Sequence, residues 1–459
     1  MVENQMLTGT ERWFEKGVKK LSPVPTATAV AIIVYGLCGV AGLLLSDSGV
    51  AKILEPRADR YQYWDTAHYV QLGIDYSCQA FYPLWPQMIQ MVSKGQMALG
   101  LQAAFGVGTL LFLGSLPLTY WVFRRLIPQG SLALLAFWLY VLNPNSIFHS
   151  NGYTEGAFSA LAAIVLAALC FPRTLIGQGL LLVTTLMMSA LRPSLIQLVG
   201  AAGGAWVCVT LHQRWQLSLG DCPRQIHPRA PNAGMEPSGR VTSLLCLGAG
   251  VGYALYGLYC WRTIGNFWGP FQAQVEWGRQ LRLRPLLLLL PRSLLNDLQG
   301  LYFPFGLGGL VGVLAYCRYR ARPFRGYLPK HPLSWLLLFY PPLAGVIYGV
   351  QTWRLARSHR PPKWDISPQI DALLISYPFW FCLFMGLTNA TIGFLAASDS
   401  LYSLARFVFA PPFFFLALGQ VAAVLDSPTM RKFLLGSLML SALGLIHQWY
   451  SWGNGGWVG

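Results

Sequence analysis

Long apolar runs with almost no charge dominate this chain. Stretches at about 25–45, 99–123, 131–149, 153–171, 174–190, 193–211, 241–262, 300–317, 333–353, 371–396, 405–424 and 433–450 approach or exceed the length of about twenty residues that a helix needs to cross a bilayer core. Inside hydrocarbon every backbone N–H and C=O must find a partner within the protein, and runs of this length meet that demand as helices. The fold class expected is an all-α polytopic membrane protein, a single transmembrane unit over 1–459 with about 11–13 crossings. Composition agrees, with 54% hydrophobic and 11% charged residues, and nothing marks off a separate soluble domain.

The net charge of +16 would suggest nucleic acid in a soluble protein. Here the basic residues bunch in short loops between apolar runs, as orientation by positive cytoplasmic loops requires, so no nucleic-acid role is read. Arg12, Lys16, Lys19 and Lys20 precede the first run. That run is too long for the core of a cleaved signal, and no small-x-small site follows, so a retained anchor with a cytoplasmic N-terminus is expected. The loop 46–98 then lies outside, Arg124-Arg125 inside, 143–154 outside and Arg173 inside. Loops 212–240 and 318–332 are cytoplasmic, and 263–299 is external. One conflict stays open. Arg318 to Lys330 and Arg354 to Lys363 both favour the inside, which a single crossing at 333–353 cannot satisfy. Either Pro341-Pro342 folds that run into a re-entrant hairpin or Pro285 to Leu298 makes a short extra crossing, and the side of the C-terminus depends on which. No internal repeat is visible. Cys38, Cys170, Cys208, Cys246, Cys260 and Cys382 lie in apolar runs without ligand spacing and read as small core residues.

Acidic residues are scarce, yet five of the seventeen (Asp47, Glu55, Asp59, Asp65 and Asp75) fall in the first external loop among Tyr61, Tyr63, Trp64, Tyr69, Tyr76, Phe81, Tyr82 and Trp85. As a helix from about Tyr61, the loop would bury Tyr63, Ala67, Val70 and Ile74 on the membrane surface and aim Asp65, His68, Tyr69 and Leu72 away from it. A solvated polar face and an interfacial aromatic belt are the plainer readings of the same pattern. A second external turn runs from Asn143-Pro144 to Tyr153-Thr154-Glu155. Glu155 could sit in the first turn of a helix capped by Asn151 or Thr154, or mark a site, since an ionised group near hydrocarbon is costly. Arg192 and Arg406 stand alone at span boundaries, where they either snorkel or grip a phosphate. Gln274 and Trp277 belong to an external polar-aromatic patch. There is no phosphate-binding glycine loop, no nucleotide fingerprint, no DxD pair and no metal-ligand cluster, so no cofactor is expected, and the sequence does not decide a metal requirement.

These residues together resemble a known pattern. Trp64-Asp65 with Tyr69, followed by Ala80-Phe81-Tyr82-Pro83-Leu84-Trp85-Pro86, is similar to the W-D…Y and A-F-F-P-L-Y-P motifs in the first lumenal loop of the GPI mannosyltransferase II (Pig-V-like) family. Asn143-Pro144 to Phe148, then Tyr153-Thr154-Glu155 and Phe158, resembles that family's N-P-x-x-I-F and Y-S-E-x-x-F. Arg192-Pro193 looks like its arginine after the fifth span, Gln274 with Trp277 like the Q-x-x-W of bacterial relatives, and Arg406 before Pro411-Pro412 like an R…P feature. The match covers the first 280 residues or so in order, and 212–240 and 318–370 diverge.

The resemblance implies a GT-C glycosyltransferase fold, a polyprenyl-phosphate sugar (typically mannose) as donor, and Asp65 as base. It points to a bacterial plasma membrane, or to the ER membrane in a eukaryote, with the site on the external or lumenal face. The expected reaction is an inverting transfer to a lipid-linked or glycan acceptor. Arg192 and Arg406, with Arg60 in reserve, would face the departing phosphate. Trp64, Tyr69 and Trp277 would line sugar subsites, and His68, Asn143, Tyr153 and Glu155 would orient hydroxyls. The rival class is a lipid or anion transporter using Glu155, Arg192 and Asp399 as a path through the membrane, and a non-catalytic scaffold is the third reading.

Overall fold

The computed structural model describes residues 23–47, 65–75, 80–218, 238–276, 281–288, 297–320, 367–397, 401, 403–426 and 428–456. The elements in chain order are α1 (Val24–Leu45), α2 (Asp65–Ile74), α3 (Leu84–Ser93), α4 (Met97–Leu126), α5 (Gly130–Leu142), a 3-10 turn (Pro144–His149), α6 (Glu155–Ala168), α7 (Leu175–Leu191) and α8 (Leu195–Ser218). They continue as α9 (Ser238–Ile264), α10 (Gly269–Glu276), a 3-10 turn (Pro285–Leu288), α11 (Asp297–Tyr319), α12 (Ser367–Leu374), α13 (Tyr377–Leu395), α14 (Leu404–Phe409), α15 (Phe413–Val424) and α16 (Pro428–Gly453). Among the described residues seven helices are long and apolar enough to cross a membrane, and α5, α6, α7 and α15 are shorter apolar helices packed with them. The protein is an all-α, multi-helix membrane protein.

Three expected spans are interrupted, each for a local reason. The run 131–149 stops at Asn143, whose backbone is extended (φ −70°, ψ 154°) as the residue before a proline must be. Its side-chain Oδ1 then accepts from the Asn145 N–H at 2.9 Å to open the 3-10 turn. The run 405–424 divides into α14 and α15 because Pro411-Pro412 offer no N–H to continue a helix. The run 371–396 divides at Ile375-Ser376, where the Ser376 hydroxyl accepts from the Phe379 N–H and Pro378 takes an early helical position. The run 333–353 lies outside the described residues. Leu298, at the end of the alternative short crossing, already belongs to α11.

The described helix ends sort to two ends of the bundle. Arg124 and Arg125 close α4, and Arg173 joins α6 to α7. Arg318, in the last turn of α11, makes a bidentate ion pair with Asp371 of α12 at 2.8 and 2.7 Å. The end of α11 and the start of α12 therefore meet at the same end of the bundle, and the segments on which the topological alternatives turn lie largely outside the described residues. At the opposite end the Asp47 N–H donates to Asn454 Oδ1 at 2.9 Å, so α1 and α16 finish together there.

Two readings need correction. α2 buries Thr66, Tyr69, Val70, Leu72 and Gly73, while Ile74 is exposed and Ala67 half-buried. The expected membrane-facing arc is wrong because α2 packs on protein. Its Val70 sits against Gly100 of α4, and its Gly73 lies against the Pro86 carbonyl of α3. Cys260, read as a small core residue, is disulfide-bonded.

Candidate active site

Four charged side chains from distant parts of the sequence meet at the end of the bundle opposite Arg124 and Arg318. Arg192 reaches the site because Pro193 follows it. The residue before proline avoids the helical region, so α7 ends and Arg192 extends (φ −160°, ψ 162°). Glu155 opens α6, which runs antiparallel to α7, and this brings the two residues to one face. Arg192 Nη1 lies 3.4 Å from Glu155 Oε1. Arg406, on α14, places Nε 3.1 Å from the same Glu155 oxygen and Nη1 3.6 Å from Asp65 Oδ2. Two guanidinium groups thus face two carboxylates, and their formal charges cancel.

The environments of the two acids differ. The side chain of Glu155 is 1% exposed and that of Asp65 is 27% exposed. Glu155 balances both arginines in a buried setting, whereas Asp65 is the member that a molecule from outside can touch. Arg406 is buried, yet neither Nε nor Nη1 has the alignment of a hydrogen bond despite the short approach to the carboxylates. Burial alone would weaken its charge, but Glu155 and Asp65 outweigh it and hold the guanidinium's pKa above its ordinary value. Aromatic faces complete the lining. Phe407 lies 4.7 Å from each guanidinium carbon, Tyr153 lies 4.8 Å from that of Arg406, and Phe158 lies 4.6 Å from that of Arg192.

The loop carrying Asp65 is docked by backbone contacts. Thr66 Oγ1 donates to the Asn151 carbonyl at 2.7 Å and Trp85 Nε1 to the Gly152 carbonyl at 3.0 Å. Gly152 is left-handed (φ +85°), and a Cβ there would meet Thr66 at 2.5 Å, so this turn requires glycine. The expected cap of α6 does not form. Thr154 makes no side-chain cap, its hydroxyl instead lying 3.5 Å from Glu155 Oε2, and Asn151 Oδ1 is buried without a partner.

The remaining candidates differ in their surroundings. Tyr69 is buried edge-on to Phe81, and burial first, then the charges of Asp65 and Glu155, raise the pKa of its phenol. Tyr153 is buried against Phe148, with its pKa likewise raised chiefly by burial. His68 is exposed on α2 and stacks on Phe81. Asn143 is buried, and its amide donates to the Tyr140 carbonyl, Ser146 Oγ and the Phe409 carbonyl. Gln274 donates to the Ala80 carbonyl at 3.0 Å, and Tyr256 to that of Phe81 at 3.3 Å, so both tie the first loop to α9 and α10. Trp64, Trp277, Arg60 and Asp399 lie outside the described residues. Among those described, no group of three or more His, Cys, Asp or Glu is placed to hold a metal ion. Reading the sequence missed Thr66, Asn151 and Gly152 as the dock for Asp65, although a glycine beside a polar turn is the usual signal of such a contact.

No family model matches the sequence, and no curated protein matches it. Among solved structures it is similar to an oligosaccharyltransferase of Archaeoglobus fulgidus in complex with zinc and sulfate, with 11% identity and a TM-score of 0.33. The alignment covers 92% of this chain and 52% of that one, so the chain spans about half the length of that protein.

Proposed function

We propose that the chain is a membrane glycosyltransferase of the GT-C kind. It moves a hexose, mannose by the motif resemblance, from a polyprenyl-phosphate donor to a lipid-linked or glycan acceptor on the non-cytoplasmic face. One observation carries the reading. An accessible carboxylate, Asp65, faces a buried guanidinium, Arg406, that has two donor nitrogens without hydrogen-bond partners.

The chemistry follows from that pair. The acceptor hydroxyl attacks C1 of the sugar and gives its proton to an Asp65 oxygen. The C1–O bond to phosphate breaks with its electron pair passing to the phosphate oxygen, and the configuration at C1 inverts. The donor phosphodiester carries one negative charge and the released phosphomonoester two, while Asp65 goes from one to none. Arg406 thus loses its partner charge as the leaving group gains one, and its unfilled donors turn to the phosphate. The leaving group departs as a stable anion and needs no general acid. Glu155, held by both arginines, sets their positions, and Asn143 holds the turn, which narrows the roles expected for both from substrate contact to support. His68, Tyr69 and Tyr153 flank Asp65 and are assigned to the sugar subsite, together with Trp64 and Trp277.

Two features support the non-cytoplasmic face. The basic ends Arg124, Arg125, Arg173 and Arg318 lie opposite the site, as positive-inside orientation requires. Cys260 lies near the site end of α9, and its disulfide suits an oxidising compartment. The charges also gather at helix ends rather than midway along a bundle, unlike the path a transporter needs.

The reading is tested by incubating purified protein in liposomes with radiolabelled polyprenyl-phosphate mannose, glucose or other sugars and a membrane lipid extract. Label covalently transferred to an acceptor supports it. Donor that crosses the bilayer unchanged, with no transfer from any sugar, would favour a flippase.

A further inference from the structure

Arg406 rides on α14, a helix of only six residues, too short to hold itself by its own hydrogen bonds. Its N-cap residue, Ser403, is left-handed (φ 63°) and supplies no side-chain cap. The partner comes from α11 instead. Asp297 Oδ1 accepts from the Ala405 N–H at 3.1 Å, while the Leu404 N–H donates to the Leu401 carbonyl at 3.2 Å. One turn along α11, a Cβ on Gly300 would lie 2.8 Å from the Ala405 backbone, so the two helices touch without side chains between them. Asp297 also lies within electrostatic reach of Arg406 itself. A carboxylate that takes up a free N–H at a helix start ties that start to the element carrying the carboxylate.

We propose that Asp297 is a positioning residue: it never touches substrate but sets where Arg406 meets the donor phosphate by clamping the start of α14 to α11. The proposal rests on Arg406 being the donor-phosphate contact. A displacement of about 1 Å at a reacting group can cost on the order of a hundredfold in rate, which is the scale of effect expected from losing the clamp.

The test uses full-length Asp297→Ala and Asp297→Asn in liposomes, with Arg406→Lys as the reference variant. Hydrogen exchange reads the backbone at 403–407, and steady-state kinetics read donor and acceptor separately. Asp297→Ala should speed exchange at 403–407 and lower kcat/KM for the donor by about 10- to 100-fold, leaving the acceptor KM within about twofold. Asp297→Asn keeps an oxygen that can accept from Ala405 and should fall between Ala and the parent. Unchanged exchange in Asp297→Ala overturns the proposal, and so does a loss spread equally over donor and acceptor, which a merely structural role would give. Faster exchange with an unchanged donor kcat/KM overturns it when Arg406→Lys does lower that kcat/KM. If Arg406→Lys leaves the donor kcat/KM unchanged, the reading of Arg406 itself has failed and takes this proposal with it.

Discussion

Glu155 is buried and faces two guanidinium groups, at 3.4 and 3.1 Å. Removing its charge leaves both arginines buried without their shared counter-ion, an effect of about 3–5 kcal/mol for pairs of this kind. Glu155→Gln should therefore lower thermal stability in detergent steeply, and Glu155→Gln with Arg192→Gln should recover part of the loss, as coupled neighbours do. A melting temperature unmoved by the single variant would show that the cluster holds no such energy. His149 offers a pH-dependent prediction in the same region. It is buried in the turn before α6, stacked on Phe112, with Nδ1 2.9 Å from the Ser146 carbonyl and Nε2 3.0 Å from that of Ala410. Burial pushes its pKa down from 6.5 to about 4, against the pull of both carbonyls. Between those values the unfolded chain binds a proton that the folded chain refuses, so stability falls as pH drops through the window. The span amounts to about 3 kcal/mol. Melting temperatures taken from pH 7 to 4.5 should fall less steeply in His149→Gln than in the parent, and equal slopes would clear His149 of the effect.

At the scale of elements, α4 and α6 approach so closely that a Cβ on Gly156 would run into the Gly108 carbonyl, while one on Gly108 would meet the His149 carbonyl at 2.8 Å. This contact seats the start of α6, and with it Glu155, against the rest of the site. Gly156→Ala should cost about 1–3 kcal/mol of stability, typical of overpacking a tight contact, and should lower activity as well, as transfer assays and thermal melts would record. Activity kept at parental level would mean that Glu155 is placed by something else. Much of this was readable in advance. Asp65 stands out because scarce acids gather among aromatics in one external loop, and Glu155, Arg192 and Arg406 because charge beside hydrocarbon is expensive. Their meeting was not readable, since it depends on how helices far apart in the chain pack. Asp297 passed unnoticed because an acid opening a span looks like any polar boundary. The face of α2 was misjudged because periodicity identifies a buried arc only when the covering surface is known, and here that surface is protein. The breaks at Pro144 and Pro411-Pro412 were signalled by the prolines themselves but were masked by the length of the apolar runs around them.

Over the whole molecule, the arrangement has one sided consequence. The end carrying Arg124, Arg173 and Arg318 should face the cytoplasm, and the end carrying the charged cluster and Asn454 should face outward. An impermeant maleimide added to intact cells should label Asn454→Cys above the parental background and leave Arg173→Cys unlabelled, and the reverse pattern would turn the molecule over. With that orientation the account comes down to one group on the outer face. The most direct measurement is the rate of sugar transfer from radiolabelled polyprenyl-phosphate donor by purified Asp65→Asn in liposomes. The account predicts a loss of about 10²- to 10⁴-fold in kcat with the melting temperature close to that of the parent, because the amide keeps the shape of the side chain but cannot take the proton. Parental transfer rates in that variant would contradict it.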